Sequence, residues 1–146
     1  MILRSLAAVG VLLVLMSAGW RTDFSKAKDA ARAEHKLILL KFSGSDWCLP
    51  CIKMEKDVFA KDTFQHFADE NLEMVNADFP RLKKHELDKA VVKQNETLAE
   101  QYDKTGHFPY TVLLDADGKV LKTWDGYQGE KPEEMIREIQ LYAHAH

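Results

Sequence analysis

The chain has 146 residues, 46% of them hydrophobic, which is enough for one core and too few for two ordinary domains. Twenty basic residues stand against 23 acidic ones, a net charge of −3. The two signs are interleaved, as in "EEMIREIQ", and this pattern of a solvated face argues against nucleic acid as a partner.

The first stretch, "MILRSLAAVGVLLVLMSAG", sets Arg4 before an uncharged run from Ser5 to Gly19 that ends on the small residues Ser17, Ala18 and Gly19. A basic start, an apolar middle and small residues at the end form the layout of a secretory signal. Residues 1–19 are therefore read as a signal peptide, with an uncleaved membrane anchor as the alternative, although the run is short for a span of about 20 residues. Residues 20–146 are then the folded domain. Cleavage after Gly19 removes only Arg4 and leaves 19 basic residues against 23 acidic ones, a net charge of −4. Export implies the periplasm or another compartment outside the cytoplasm, where cysteines tend to be paired. Membrane contact is expected only if residues 1–19 are retained.

"FSKAKDAARAEHK" places Ala27, Ala30 and Ala31 on one helical face and predicts a short amphipathic helix. "LILLKF" (Leu37 to Phe42) is an apolar run of strand length, suited to a central strand covered on both faces. A helical pattern resumes at Cys48, and a second piece follows with Asp62 as its N-cap. "LEMVNADF" is the next strand. The polar stretch from Pro80 to Gln94, with Lys83, Lys84, His85 and Lys89 as a basic cluster, is read as a solvated extra segment, possible partner surface being the alternative. Helix is expected from Asn95 to Lys104, with Leu98, Ala99 and Tyr102 on its inner face and Gly106 as a stop. Two β-rich runs flank "DADG", predicting a hairpin that turns at Asp117-Gly118. A last helix opens with Pro132, Glu133 and Glu134, residues suited to a helix N-terminus. Parallel strands joined by helices and finished by an antiparallel hairpin make an α/β fold, a central mixed sheet with helices on both faces.

Both cysteines lie in "SGSDWCLPC", where the strand ends and the helix begins. A thiolate attacks disulfides and a thiol hardly does, and the amides and dipole of a helix N-terminus favour the thiolate. Cys48 is thus the expected attacking thiol, and Cys51, one turn further in, the less accessible resolving thiol. Pro50 fixes a backbone angle between them. A structural clip would close so small a loop that it stabilises little. A metal site needs three or four ligands, and His107 is the available third. Asp46 is read as exposed, and its charge would raise the thiol pKa.

"DWCLPC" resembles the W-C-x-P-C active site of the thioredoxin family, with Trp47, Cys48, Pro50 and Cys51 matching position by position. "GHFPYTVLLDADGKV" resembles the segment in which that family's cis-proline precedes the hairpin. The resemblance covers nearly all of residues 20–146, and the flanks of both motifs are similar to exported bacterial thioredoxin-like proteins. It implies a thioredoxin-like fold and a redox disulfide between Cys48 and Cys51. It also implies a substrate surface of Trp47, Pro50, Phe108, Pro109 in the cis-proline role, and Gly126.

The activity it implies is thiol-disulfide exchange with protein thiols and disulfides. No cofactor beyond the cysteines is expected, no metal, and a membrane-linked electron donor; the chain is read as a monomer. Leu49 between the cysteines cannot stabilise a thiolate as a histidine would, which favours the reductase or isomerase side. The alternative is a binding module of the same fold, such as a metallochaperone or a redox-silent chaperone-like domain. One departure stands out. Thioredoxins usually carry a buried aspartate on the central strand beneath the active site, and here that position is Lys41 or, without a one-residue loop shift, Phe42.

Overall fold

The run that opens the sheet forms β1 (Leu37–Ser43), central in the sheet and buried along its whole length because helices cover both of its faces. In the computed structural model, which describes residues 19–144, β1 pairs in parallel with β2 (Leu72–Asp78). On its other side β1 pairs antiparallel with β3 (Tyr110–Leu114), which pairs antiparallel with β4 (Val120–Asp125). The sheet order is β2-β1-β3-β4, the expected mixed sheet with a C-terminal hairpin. The reading of residues 1–19 as signal or anchor falls, apart from Gly19, outside the described residues. Among the described residues no helix is long and apolar enough to cross a membrane.

Side chains alternate across the sheet, so each strand supplies two cores. Leu37, Leu39, Met74 and Leu113 face one way. They are covered by α2 (Leu49–Met54) with its π-helical continuation Glu55–Phe59, by α3 (Asp62–Asn71) and by α5 (Pro132–Ala143). Ile38, Leu40, Phe42, Val75 and Val112 face the other way, under α1 (Phe24–Glu34) and α4 (Lys89–Tyr102). The alternation settles the register question at the end of β1: Phe42 belongs to the α1/α4 face, and Lys41 follows Leu37 and Leu39 onto the face beneath α2.

Several boundaries differ from expectation. The N-cap of α3 is Lys61, with Asp62 as the first helical residue. The helix expected from Asn95 begins at Lys89, and its first turns are largely exposed, so no apolar periodicity marks them. Asn95 is buried in mid-helix, and its Nδ2 donates to the Asp78 carbonyl at 3.0 Å, tying α4 to the end of β2. The hairpin closes through a loop from Asp115 to Lys119 rather than a two-residue turn. The Asp115 carboxylate accepts the amides of Asp117 and Lys119 there, and Gly118 supplies a φ of 90°. Arg21 also bridges Val75 in parallel, adding a backbone contact on the outer side of β2.

Candidate active site

The loop from β1 to α2 turns tightly, with the amides of Trp47 and Cys48 both donating to the Gly44 carbonyl, at 3.2 and 2.8 Å. A side chain at Gly44 would overlap the Trp47 indole, so the close approach requires glycine. Cys48 is the N-cap of α2, in extended conformation, and its Sγ accepts the Cys51 amide at 3.3 Å. Pro50 occupies the first turn, where a missing N–H costs nothing. Cys48 and Cys51 form a disulfide with Cα atoms 5.2 Å apart. Their exposures are 5% and 3%, so accessibility barely separates them. Position does: among the described residues Cys48 Sγ is the sulfur that receives a helix amide, the arrangement that stabilises a thiolate. Leu49, 77% exposed, and Ile52, 43% exposed, leave an apolar surface around the pair.

An aromatic wall adjoins the disulfide. Trp47 Nε1 donates to the Phe79 carbonyl at 2.7 Å, and the Phe108 ring lies 5.9 Å from the Trp47 ring and 5.2 Å from Phe79, stacked on the latter. The Arg81 guanidinium sits 3.6 Å over the Trp47 ring. The Phe108–Pro109 peptide bond is cis. The Pro109 carbonyl accepts the Gly126 amide at 2.8 Å, and Gly126 needs its φ of 83° to reach it. The structure thus brings Trp47 to Phe108 and Gly126 to Pro109. Phe79 and Arg81, absent from the sequence reading, complete the wall; a contact across 32 positions leaves no local signal. His107 pairs with Asp125 at 3.1 Å. Among the described residues no group of three or more His, Cys, Asp or Glu side chains could hold a metal ion.

Asp46 corrects an expectation. Its side chain is only 5% exposed, and it accepts the amides of Arg81 and Leu82 at 2.9 and 3.0 Å and lies 3.0 Å from His85 Nδ1. The Arg81 amide, with Leu82 and His85 behind it, lowers the carboxyl to about 2. Because the folded value lies below the unfolded one, Asp46 holds the segment after Pro80 fully above the unfolded pKa of about 3.9 and loses it as pH falls towards 2. Asp46→Ala is expected to release the segment at neutral pH as acid does in the parent. Amide exchange at Arg81 and Leu82 measures this, and protection in the variant equal to that of the parent would contradict it.

Residues 24–143 match the thioredoxin-like domain family. The chain belongs to that family. A stretch of 99 residues is 43% identical to the disulfide bond reductase DsbH of Chlamydia pneumoniae, covering 68% of this chain and 58% of that protein, so the match spans less than two thirds of the relative's length. A solved DsbH oxidoreductase superimposes with a TM-score of 0.78 at 29% identity, over 98% of this chain and 96% of the other. A thioredoxin from Thermus thermophilus shares the fold at a TM-score of 0.64 and 16% identity, over 87% and 88% of the two chains.

Beneath the site this thioredoxin-like domain carries a buried cation. Lys41 is 4% exposed, its Nζ is 2.5 Å from Glu55 Oε2, and it lies 4.0 Å over the Trp20 ring. Trp20 Nε1 donates to the other Glu55 oxygen at 3.0 Å. Burial lowers the Lys41 pKa and the Glu55 charge opposes that shift. The acid of this layer therefore comes from the helix rather than the strand, one turn beyond Cys51.

Proposed function

We propose that this thioredoxin-like protein is an exported thiol-disulfide oxidoreductase that reduces or isomerises disulfides in protein substrates through Cys48 and Cys51. The observation that carries the reading is the disulfide placed at the start of α2, with Cys48 Sγ accepting the Cys51 amide. The reductase name of the relative from Chlamydia pneumoniae supports the direction, as does Leu49, which offers no charge to a thiolate.

In the reduced protein the Cys48 thiolate attacks a substrate disulfide, a mixed disulfide forms, and one substrate thiolate leaves. The Cys51 thiolate then attacks Cys48 Sγ, the mixed disulfide breaks, and the second substrate thiol departs with a proton. Two electrons pass to the substrate and the protein keeps the Cys48–Cys51 disulfide. A membrane-linked dithiol protein reverses that oxidation. Trp47, Pro50, Phe108, Pro109 and Gly126 form the surface on which the substrate strand lies, residues 1–19 act as the export signal, and the periplasm is the compartment.

Alkylation of thiols across a series of glutathione buffers tests this. A reversible two-thiol transition is expected, with a potential nearer the roughly −270 mV of thioredoxin than the roughly −120 mV of DsbA. A disulfide that no buffer in the series reduces would overturn the redox role, and a potential near the DsbA value would overturn the direction.

A further inference from the structure

Phe79, Pro80, Leu82, Leu87 and Val92 line a cavity of about 440 Å³ that opens beside the aromatic wall. Leu82 is 47% exposed and Val92 38%. Two ties set the cavity beside the redox site: the Phe79 carbonyl accepts the Trp47 indole N–H, and Arg81, also lining the cavity, covers the Trp47 ring next to Cys48. Asp46, two positions before Cys48, grips the backbone of Arg81 and Leu82 and so fixes the cavity relative to the disulfide.

The charge of the segment runs against that of the chain. Residues 80–94 hold five basic residues and two acidic ones, a net +3 in a chain whose total is −3. Arg81 and Lys83 line the cavity. Asp78 and Glu86 line it as well, the Asp78 carboxylate accepting the Ser45 amide and hydroxyl, so the excess of positive charge lies in the segment around the cavity, at Lys84, Lys89 and Lys93. Residues 1–18 contain Arg4 and no acidic residue, so they do not answer a basic rim.

We propose that this cavity is a docking subsite for the substrate protein. It takes an extended segment that carries an apolar side chain flanked by acidic ones, about three to five residues from the cysteine under attack. The apolar side chain enters between Leu82 and Val92, and the acidic neighbours meet Arg81 and Lys83. This deepens the redox reading and rests on it: the subsite selects which protein disulfides reach Cys48.

The test uses the full chain and cysteine peptides blocked as glutathione disulfides. The peptides carry Leu-Asp or Leu-Glu pairs at that spacing on either side of the cysteine, with Ser-Lys and Ser-Ser controls, and hydroxyethyl disulfide serves as a substrate too small to reach the cavity. Single-turnover reduction is expected to favour the acidic-apolar peptides by about tenfold or more over the controls, the scale of one side chain in a fitted pocket. The preference should shrink in high salt. In Leu82→Ser and in Lys83→Glu the ratio of peptide rate to hydroxyethyl disulfide rate should fall by most of that factor. Equal rates for all peptides, or a preference that survives both substitutions, would overturn the subsite.

A second measurement separates the subsite from the redox reading. The Cys48→Ser, Cys51→Ser protein should still bind the acidic-apolar peptides, read by tryptophan fluorescence, because binding needs no sulfur. Exchange without preference would sink the subsite and leave the redox role standing, whereas binding without exchange in the parent would do the reverse. Self-association abolished by Leu82→Ser, with no peptide preference, would assign the cavity to a second copy of the chain and overturn the proposal.

Discussion

Cys48→Ser is expected to reduce disulfide exchange to background, a loss of at least about 10³-fold, while Cys51→Ser yields a protein that attacks substrates and stays attached to them. The asymmetry follows from the start of α2. Cys48 Sγ is the sulfur that receives the Cys51 amide, so it is the one whose thiolate the helix stabilises. Without Cys51 the first attack proceeds, but nothing is left to break the mixed disulfide. Non-reducing electrophoresis after mixing with a disulfide-bearing protein reads both outcomes. Trapping by Cys48→Ser instead would reverse the roles and show that the helix terminus does not select the nucleophile.

The second large effect concerns the pair beneath the site. Glu55→Gln is expected to cost about 3–5 kcal/mol, the range for stranding one member of a buried ion pair, because the Lys41 side chain is 5% exposed and cannot reach water. Lys41→Met should cost much less, since the Glu55 side chain is 37% exposed and can turn to solvent. Lys41→Asp belongs with the severe group, as it removes the cation and sets a second carboxylate against Glu55.

The pH dependence has a definite sign. Burial holds the Lys41 pKa below its unfolded value, so between the two values the unfolded chain binds a proton that the folded one does not, and stability rises with pH across that window. Loss of the Glu55 charge removes an interaction that raises the Lys41 pKa and widens the window. Urea melts of Glu55→Gln between about pH 7 and pH 9.5 should therefore show stability recovering as pH rises. Equal costs for Glu55→Gln and Lys41→Met, or a flat pH profile, would mean that Lys41 finds solvent after all.

What could be read without coordinates was local. The 3.6- and 2-residue periods located the helices and strands, since burial on one face repeats with the geometry of each element. "DWCLPC" and "GHFPYT" each hold their signal within a few residues, which is why the Cys48–Cys51 disulfide and the cis bond before Pro109 were legible. Boundaries failed where burial left no period, as in the exposed first turns of α4.

The remaining features depend on which distant residue meets which. A lysine in an apolar run gives no sign of its partner, and only the packing of α2 on β1 brings Glu55 to Lys41. Asp46 reads as a surface acid until the backbone of Arg81 and Leu82 folds over it. Phe79 and Arg81 join the aromatic wall because the end of β2 lies beside the end of β1. Sequence thus determined the elements and the disulfide pair, because propensity, periodicity and motif act over a few residues. Tertiary structure decided the partners of the buried charges and the surface around the disulfide, because a sequence period reports that a side chain is covered and carries no information about what covers it.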